Sequence, residues 1–195
     1  PDFLPWAFTE RPLAVQLADE GVRQVELDLN WDAALGHHAV FHVKEYDELS
    51  TCPTLAACLG PMRTWSAANP WHVPVFVLLE FKDALDGTDA QFTRLEDEIL
   101  SVWPREAIVT PDALRAGHAT LPEAIADGGW PVLGEVRGKA VFVLIGDQEL
   151  AQAYFHDGAA LAGKLLFGRG GPDVPWGAID VQDTPAEDAA AIDAE

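Results

Sequence analysis

Hydrophobic and polar positions along this chain follow two alternating rhythms, one of period two and one of helical spacing. From Gln24 to Leu29 the alternation puts Val25, Leu27 and Leu29 on one face of an extended strand and Gln24, Glu26 and Asp28 on the other. A second strand-like run covers Ala39–Val43, and a third, Val73–Lys82, sets Glu80 and Lys82 on a single face. Ala140–Ile145 is apolar throughout, as in a strand buried on both sides. Ala107–Val109 and Lys164–Phe167 read as two shorter strands.

Helical spacing fills the intervals. Arg11-Pro12 opens a short helix through Leu13, Leu17 and Ala18 that Gly21 stops. Cys52-Pro53-Thr54 starts another, which carries Leu55, Leu59, Met62 and Trp65 as far as Asn69-Pro70. Thr88–Trp103 places Phe92, Leu95, Ile99 and Leu100 inside and leaves Glu96, Asp97 and Glu98 to solvent. Thr120–Ala126 and Gln148–Phe155 are two further helices, and loops are expected at Asn30–His38, Lys44–Thr51 and Gly168–Gly177. Pro1–Glu10, with Phe3, Trp6 and Phe8, reads as an aromatic lid, and Thr184–Glu195 as the start of one more helix.

About six strands alternating with helices, at intervals of roughly 30 residues, argue for a parallel sheet. The expected fold is α/β, a TIM (β/α)8-type barrel forming a single domain over residues 1–195. Strands at Val22–Leu29, Val40–Val43, Val75–Phe81 and Ala140–Ile145 should then be parallel neighbours with helices outside. A closed eight-stranded barrel takes about 250 residues, so this one is expected to be incomplete at both ends of the sequence. A doubly wound sheet competes, but no Gly-rich phosphate loop joins a strand to a helix; Gly168-Arg169-Gly170-Gly171 has no helix after it and reads as flexible.

Composition narrows the partners. With 12 basic against 32 acidic residues the net charge is −20, which repels nucleic acid and makes any phosphate chemistry depend on locally placed cations. The 49% hydrophobic fraction suffices for a core, while no apolar run approaches the roughly 20 residues of a membrane span. Cys52 and Cys58 are the only cysteines, and their spacing leaves a disulfide and two buried thiols equally open.

The candidate chemistry lies on the polar face of the strands. In a barrel wrapped by helices that face points to the axis, where Glu26 and Asp28 are costly to keep charged without a cation. Glu80 and Lys82 from one neighbouring strand and His42 from another converge on the same pocket. Each has a plainer reading: Glu26 and Asp28 paired with Arg23 or Lys139, Lys82 neutralising Glu80, His42 a hydrogen-bonded core histidine. The company of all five favours a site. His37 and His38 read as loop residues, and His72, His118 and His156 as structural or exposed.

Together, Gly21-Val-Arg-Gln-Val-Glu-Leu-Asp28, Phe41-His42-Val43, Ser50-Thr-Cys-Pro-Thr-Leu-Ala-Ala-Cys58, Trp65-Ser66, Asn69-Pro70 and Val75-Phe-Val-Leu-Leu-Glu-Phe-Lys-Asp83 resemble the bacterial calcium-dependent phosphoinositide phospholipase C family. Thr110-Pro-Asp112, Thr120-Leu121 and Gly129-Trp-Pro-Val-Leu-Gly-Glu-Val-Arg-Gly-Lys139 continue the resemblance in register. It implies a TIM barrel that cleaves the glycerol–phosphate ester of phosphatidylinositol through attack of the inositol 2-hydroxyl. By motif, Glu26, Asp28 and Glu80 fall on Ca2+-ligand positions, His42 on one of two catalytic histidines, and Lys82 faces the phosphate. The implied setting is secreted or periplasmic, with a phosphoinositide or related phosphodiester substrate and a transient lipid surface as partners. The family's amino-terminal strand, with its His-Asn pair, has no counterpart here, and Phe81 stands where proline is usual. Two alternatives are a glycerophosphodiester phosphodiesterase, against which Val43 after His42 counts, and a non-catalytic barrel that keeps a metal or ligand site.

Overall fold

The apolar strand runs assemble into a sheet that, in a computed structural model, occupies the centre of the described residues, 10–180 except 85, 87 and 159. The strands are β1 (Gln24–Asp32), β2 (His37–Val40), β3 (Val75–Phe81), β4 (Ala140–Ile145) and β5 (Phe167–Gly168). Helices α1 (Leu13–Asp19), α2 (Leu55–Ala68), α3 (Ala90–Val102), α4 (Pro111–Arg115), α5 (Leu121–Gly128), α6 (Leu133–Val136) and α7 (Gln148–Phe155) connect and flank them. Among these residues the strand order is β2-β1-β3-β4-β5, with β1, β3, β4 and β5 mutually parallel. The fold is therefore α/β with a mostly parallel sheet.

All six residues of β4 are buried, as their unbroken apolar run requires. In β1 the alternation holds, with Val25, Leu27 and Leu29 in the core. Leu55, Leu59 and Met62 of α2 and Phe92, Leu95 and Ile99 of α3 pack into the same core. The helix starts are set by side chains: Thr54 Oγ1 accepts from Ala57 N–H, and Thr120 and Glu123 form a reciprocal capping box.

One expected neighbour runs the other way: β2 is antiparallel to β1, with Leu29 opposite Val40 and Asp32 opposite His37. The segment expected as a loop at Asn30–His38 is instead the end of β1, a tight turn and the start of β2. Asp32 Oδ1 accepts from Ala34 and Leu35 N–H, and Gly36 supplies φ +71°. So short a connection has room only for a hairpin, since a parallel partner needs a crossover.

The hairpin also relocates His38 and the acidic face of α3. His38 is buried, and Glu98 Oε2 receives both its backbone N–H at 3.0 Å and its Nδ1 at 2.8 Å. Glu96 accepts from the Tyr154 hydroxyl, which in turn accepts from Leu165 and Leu166 N–H. Two of the three acids expected in solvent thus bind elements packed on α3. With Leu165 and Leu166 occupied in this way, the expected strand Lys164–Phe167 narrows to Phe167–Gly168, while Ala107–Val109 contributes an isolated parallel bridge, Ile108 to Ala140. Gly168–Gly177 is anchored rather than flexible: Trp176 is buried and stacks on Phe155 at 5.7 Å. Cys52 and Cys58 form a disulfide. The expected aromatic lid over residues 1–9 and the tail helix lie outside the described residues.

Candidate metal centre

The parallel register of β1 and β3 sets Asp28 directly beside Glu80, and Glu26 beside Leu78 two residues earlier. Because side chains alternate, Glu26, Asp28 and Glu80 share a face, and one carboxylate oxygen from each lies within 4.8 Å of the others. Lys82 Nζ reaches into this group, 2.7 Å from Glu80 Oε2 and 3.0 Å from Asp28 Oδ1. Lys82 is held there by its own N–H, which bonds Leu29 O at 2.9 Å. Four of the five residues singled out from the sequence therefore meet.

Burial pushes the Asp28 carboxyl above its ordinary range; the Lys82 ammonium opposes that shift and the Glu80 charge adds to it. Burial presses Lys82 down, but the hydrogen bonds and charges of Glu80 and Asp28 outweigh it and hold the ammonium above its usual value. Mutual repulsion is thus present at Asp28, and desolvation is the larger cause. Asp28 Oδ1 is buried with no directed hydrogen bond, only the ionic contact with Lys82.

His42 stands beside this group rather than within it. Phe41 N–H donates to Asp28 O at 3.2 Å, which delivers the chain next to β1 before it turns away. The half-exposed His42 ring points Nδ1 at Asp47 Oδ2, 3.5 Å distant, and its charge still reaches Asp28. Asp47 was not singled out from the sequence, since it is brought to His42 by a local turn in which Val43 and Asp47 bridge each other. A cavity of about 330 Å3, lined by Asn30, Asp32, Phe41, Lys44, Glu48 and Asp83, continues the polar face beyond Asp28.

Comparison with known families decides what this arrangement belongs to: residues 38–195 match phosphoinositide phospholipase C, Ca2+-dependent. The chain belongs to that family. Glu26, Asp28 and the amino-terminal part of the hairpin precede the matched span, so the carboxylate cluster straddles its boundary. Among solved structures, the family fold is shared with a Ca2+-dependent phosphatidylinositol-specific phospholipase C from Streptomyces antibioticus, at 26% identity and TM-score 0.63 over 84% of this chain and 66% of that one. A calcium-dependent phosphoinositol-specific phospholipase C from a Gram-negative Pseudomonas sp. has the same fold at 22% identity, with TM-score 0.68 for an apo form and 0.69 for a myo-inositol complex. Those comparisons cover 85% of this chain and 63% of the other, so this phospholipase C family member spans somewhat less than two thirds of the enzymes it matches. No curated protein matches it by sequence.

Proposed function

We propose that this protein is a calcium-dependent phosphoinositide phospholipase C, cleaving the glycerol–phosphate ester of phosphatidylinositol through attack of the inositol 2-hydroxyl on phosphorus. The observation that carries the reading is the convergence of Glu26, Asp28 and Glu80 around one point with Lys82 beside it. Residues 1–195 are read as one domain, part of a (β/α)8 barrel, a reading that the parallel strands β1, β3, β4 and β5 support. An extracytoplasmic setting suits the Cys52–Cys58 disulfide.

The donors fit calcium. All three are carboxylates, the hard oxygen ligands that this ion takes in irregular geometry, and Asp28 Oδ1 is a buried oxygen lacking a hydrogen bond. Three carboxylates and one ammonium leave two formal negative charges, matching a divalent ion. Glu26, Asp28 and Glu80 would hold it, and what the ion supplies when bound is charge, favouring ionisation of the 2-hydroxyl and neutralising the phosphate.

The chain's own groups do the rest. Lys82, kept protonated by its carboxylate neighbours, orients a phosphate oxygen. Asp47 directs Nδ1 of His42, which leaves Nε2 to hold the proton that the departing glycerol oxygen takes up. The 2-hydroxyl gives up its proton to solvent as its oxygen bonds phosphorus, the bond between phosphorus and the glycerol oxygen breaks, that oxygen takes the His42 proton, and a cyclic inositol phosphate and diacylglycerol separate.

A second reading, a barrel that binds a cation or ligand without turnover, is favoured by Lys82 already neutralising Asp28 and Glu80. One experiment separates the two. Calorimetry should show calcium binding that weakens by at least about tenfold in Asp28→Asn or Glu80→Gln, and the unaltered protein should release inositol phosphate from phosphatidylinositol only with calcium present. Calcium binding without product leaves the second reading standing; affinity unchanged in both variants removes the metal centre from both.

A further inference from the structure

The end of the sheet opposite the carboxylates carries a concentration of charge of the other sign. Arg11, Lys82, Arg94, Arg115 and Arg169 each pair with a carboxylate. Arg23, Arg63, Arg137 and Lys139 have none within ion-pair distance among the described residues: Arg23 and Arg137 bond backbone carbonyls, and Arg63 lies over the Trp103 ring at 5.8 Å. Lys44, Arg105 and Lys164 likewise have no carboxylate within that distance among the described residues, so four of seven such cations lie at this end.

The four are neighbours in the fold. Arg23 precedes β1, Arg137 and Lys139 precede β4, and Arg63 lies on α2 one turn before Ser66. The Arg23 guanidinium sits 4.7 Å from the centre of the Trp65 ring, and Arg137 Nη1 donates to Trp71 O at 2.6 Å. His72 is buried between them, with Nε2 2.8 Å from Ser66 Oγ and its ring 4.9 Å from that of Trp65. Its pKa lies below the ordinary value, chiefly through burial; the bond to Val73 O opposes the shift and the positive charges of Arg23 and Arg63 add to it. A cavity of about 400 Å3 opens here, lined by Arg23, Trp65, Asn69, Pro70, Trp71 and His72, and the Trp71 indole is 76% exposed at its rim.

We propose that this Arg- and Trp-lined cavity is a docking site for an acidic peptide segment of another protein, one that carries an apolar anchor residue. Complementary charge is the first argument, because among the described residues no carboxylate pairs with these cations. Backbone carbonyls of Leu17, Val22 and Trp71 occupy Nη1 of Arg23 and of Arg137, which fixes both guanidinium groups in place and leaves Nη2 and Nε of each to pair with a carboxylate. Nucleic acid presents an extended negative field that the net charge of −20 opposes, whereas a short segment meets only the potential within a Debye length of about 8–10 Å. Tryptophan beside arginine is the side-chain pairing that concentrates binding energy at protein interfaces, with the exposed Trp71 and half-buried Trp65 offering flat apolar walls to one anchor side chain. Five residues of strand separate Arg23 from Asp28, about 17 Å, so a bound segment leaves the metal centre open.

The probe is a short fluorescein-labelled peptide with a Leu-Leu pair flanked by glutamates, read by anisotropy against a counterpart with glutamine in place of every glutamate. The expected result is saturable binding of the acidic peptide, at least about tenfold tighter than the neutral one. Trp71→Ala, which alters an exposed side chain, should weaken it by about tenfold with unfolding temperature and calcium affinity unchanged. Equal affinity for both peptides, or undiminished binding in Trp71→Ala, overturns the proposal. Displacement of the peptide by equimolar inorganic phosphate, or its replacement by phosphatidylinositol vesicles in a manner lost with Trp71→Ala, assigns the cavity to a phosphate or a lipid surface and overturns it equally.

Discussion

Two contacts of Lys82, 3.0 Å to Asp28 and 2.7 Å to Glu80, place an ammonium where the desolvated carboxylates most need one. His42 has no such contact; its nearest anionic neighbour is Asp47, at 3.5 Å. The two residues are therefore separable by mutation. His42→Ala should leave calcium affinity and unfolding temperature close to those of the parent while lowering phosphatidylinositol turnover by about 10²–10⁴-fold, the usual worth of a positioned general acid. Against a substrate whose leaving group departs without a proton the loss should be much smaller. Equal losses on the two substrates would instead make His42 a phosphate-binding or packing residue.

At the scale of elements, the segment bearing His42 leaves the sheet beside Asp28 and returns to it at once. Val40 N–H bonds Pro53 O at 3.1 Å, Ala39 bridges Thr54, and the disulfide then ties Cys52 to buried Cys58 inside α2. Closing a loop of this size contributes about 2 kcal/mol by restricting the unfolded chain. The Cys52→Ser/Cys58→Ser double variant should lose about that much stability in denaturant unfolding, and its turnover should fall further than its calcium affinity, because β1 and β3 hold the carboxylates independently. The carboxylates and Lys82 were legible from the sequence because strand alternation alone fixes their common face. The direction of β2 was not: the Asp32 and Gly36 turn signals lie within a polar stretch that also reads as a loop. Glu98 was misplaced for a related reason, since helical spacing identifies an acidic face but not the buried His38 that the hairpin presents to it. The pairing of His42 with Asp47 depends on an irregular turn with Glu45 at φ +68°, where no periodicity applies.

For the molecule as a whole, one source of acid sensitivity is His72, at the end of the sheet far from the carboxylate cluster. His72 has a pKa held below its ordinary 6.5, chiefly by burial. The unfolded chain therefore binds a proton near pH 6.5 that the folded chain refuses until lower pH, so this contribution is complete above 6.5 and is lost as the pH falls beneath it. As the pH falls below 6.5 the parent should lose stability more steeply than His72→Gln, measured as unfolding free energy at each pH; parallel profiles would show that His72 does not govern the change. Long stretches of the architecture were foreseeable, because β4 and the cores of α2 and α3 rest on apolar runs that have one way to be buried. Charge placement was less so, since net composition says nothing of which cations gather at one end. The returning course of residues 41–52 has an evolutionary meaning as well. A segment whose two ends are stitched to the same spot is a cassette: its length and contents can be exchanged without shifting the framework on either side. One lineage can thus vary His42 and its surroundings while Glu26, Asp28 and Glu80 are inherited unchanged on β1 and β3.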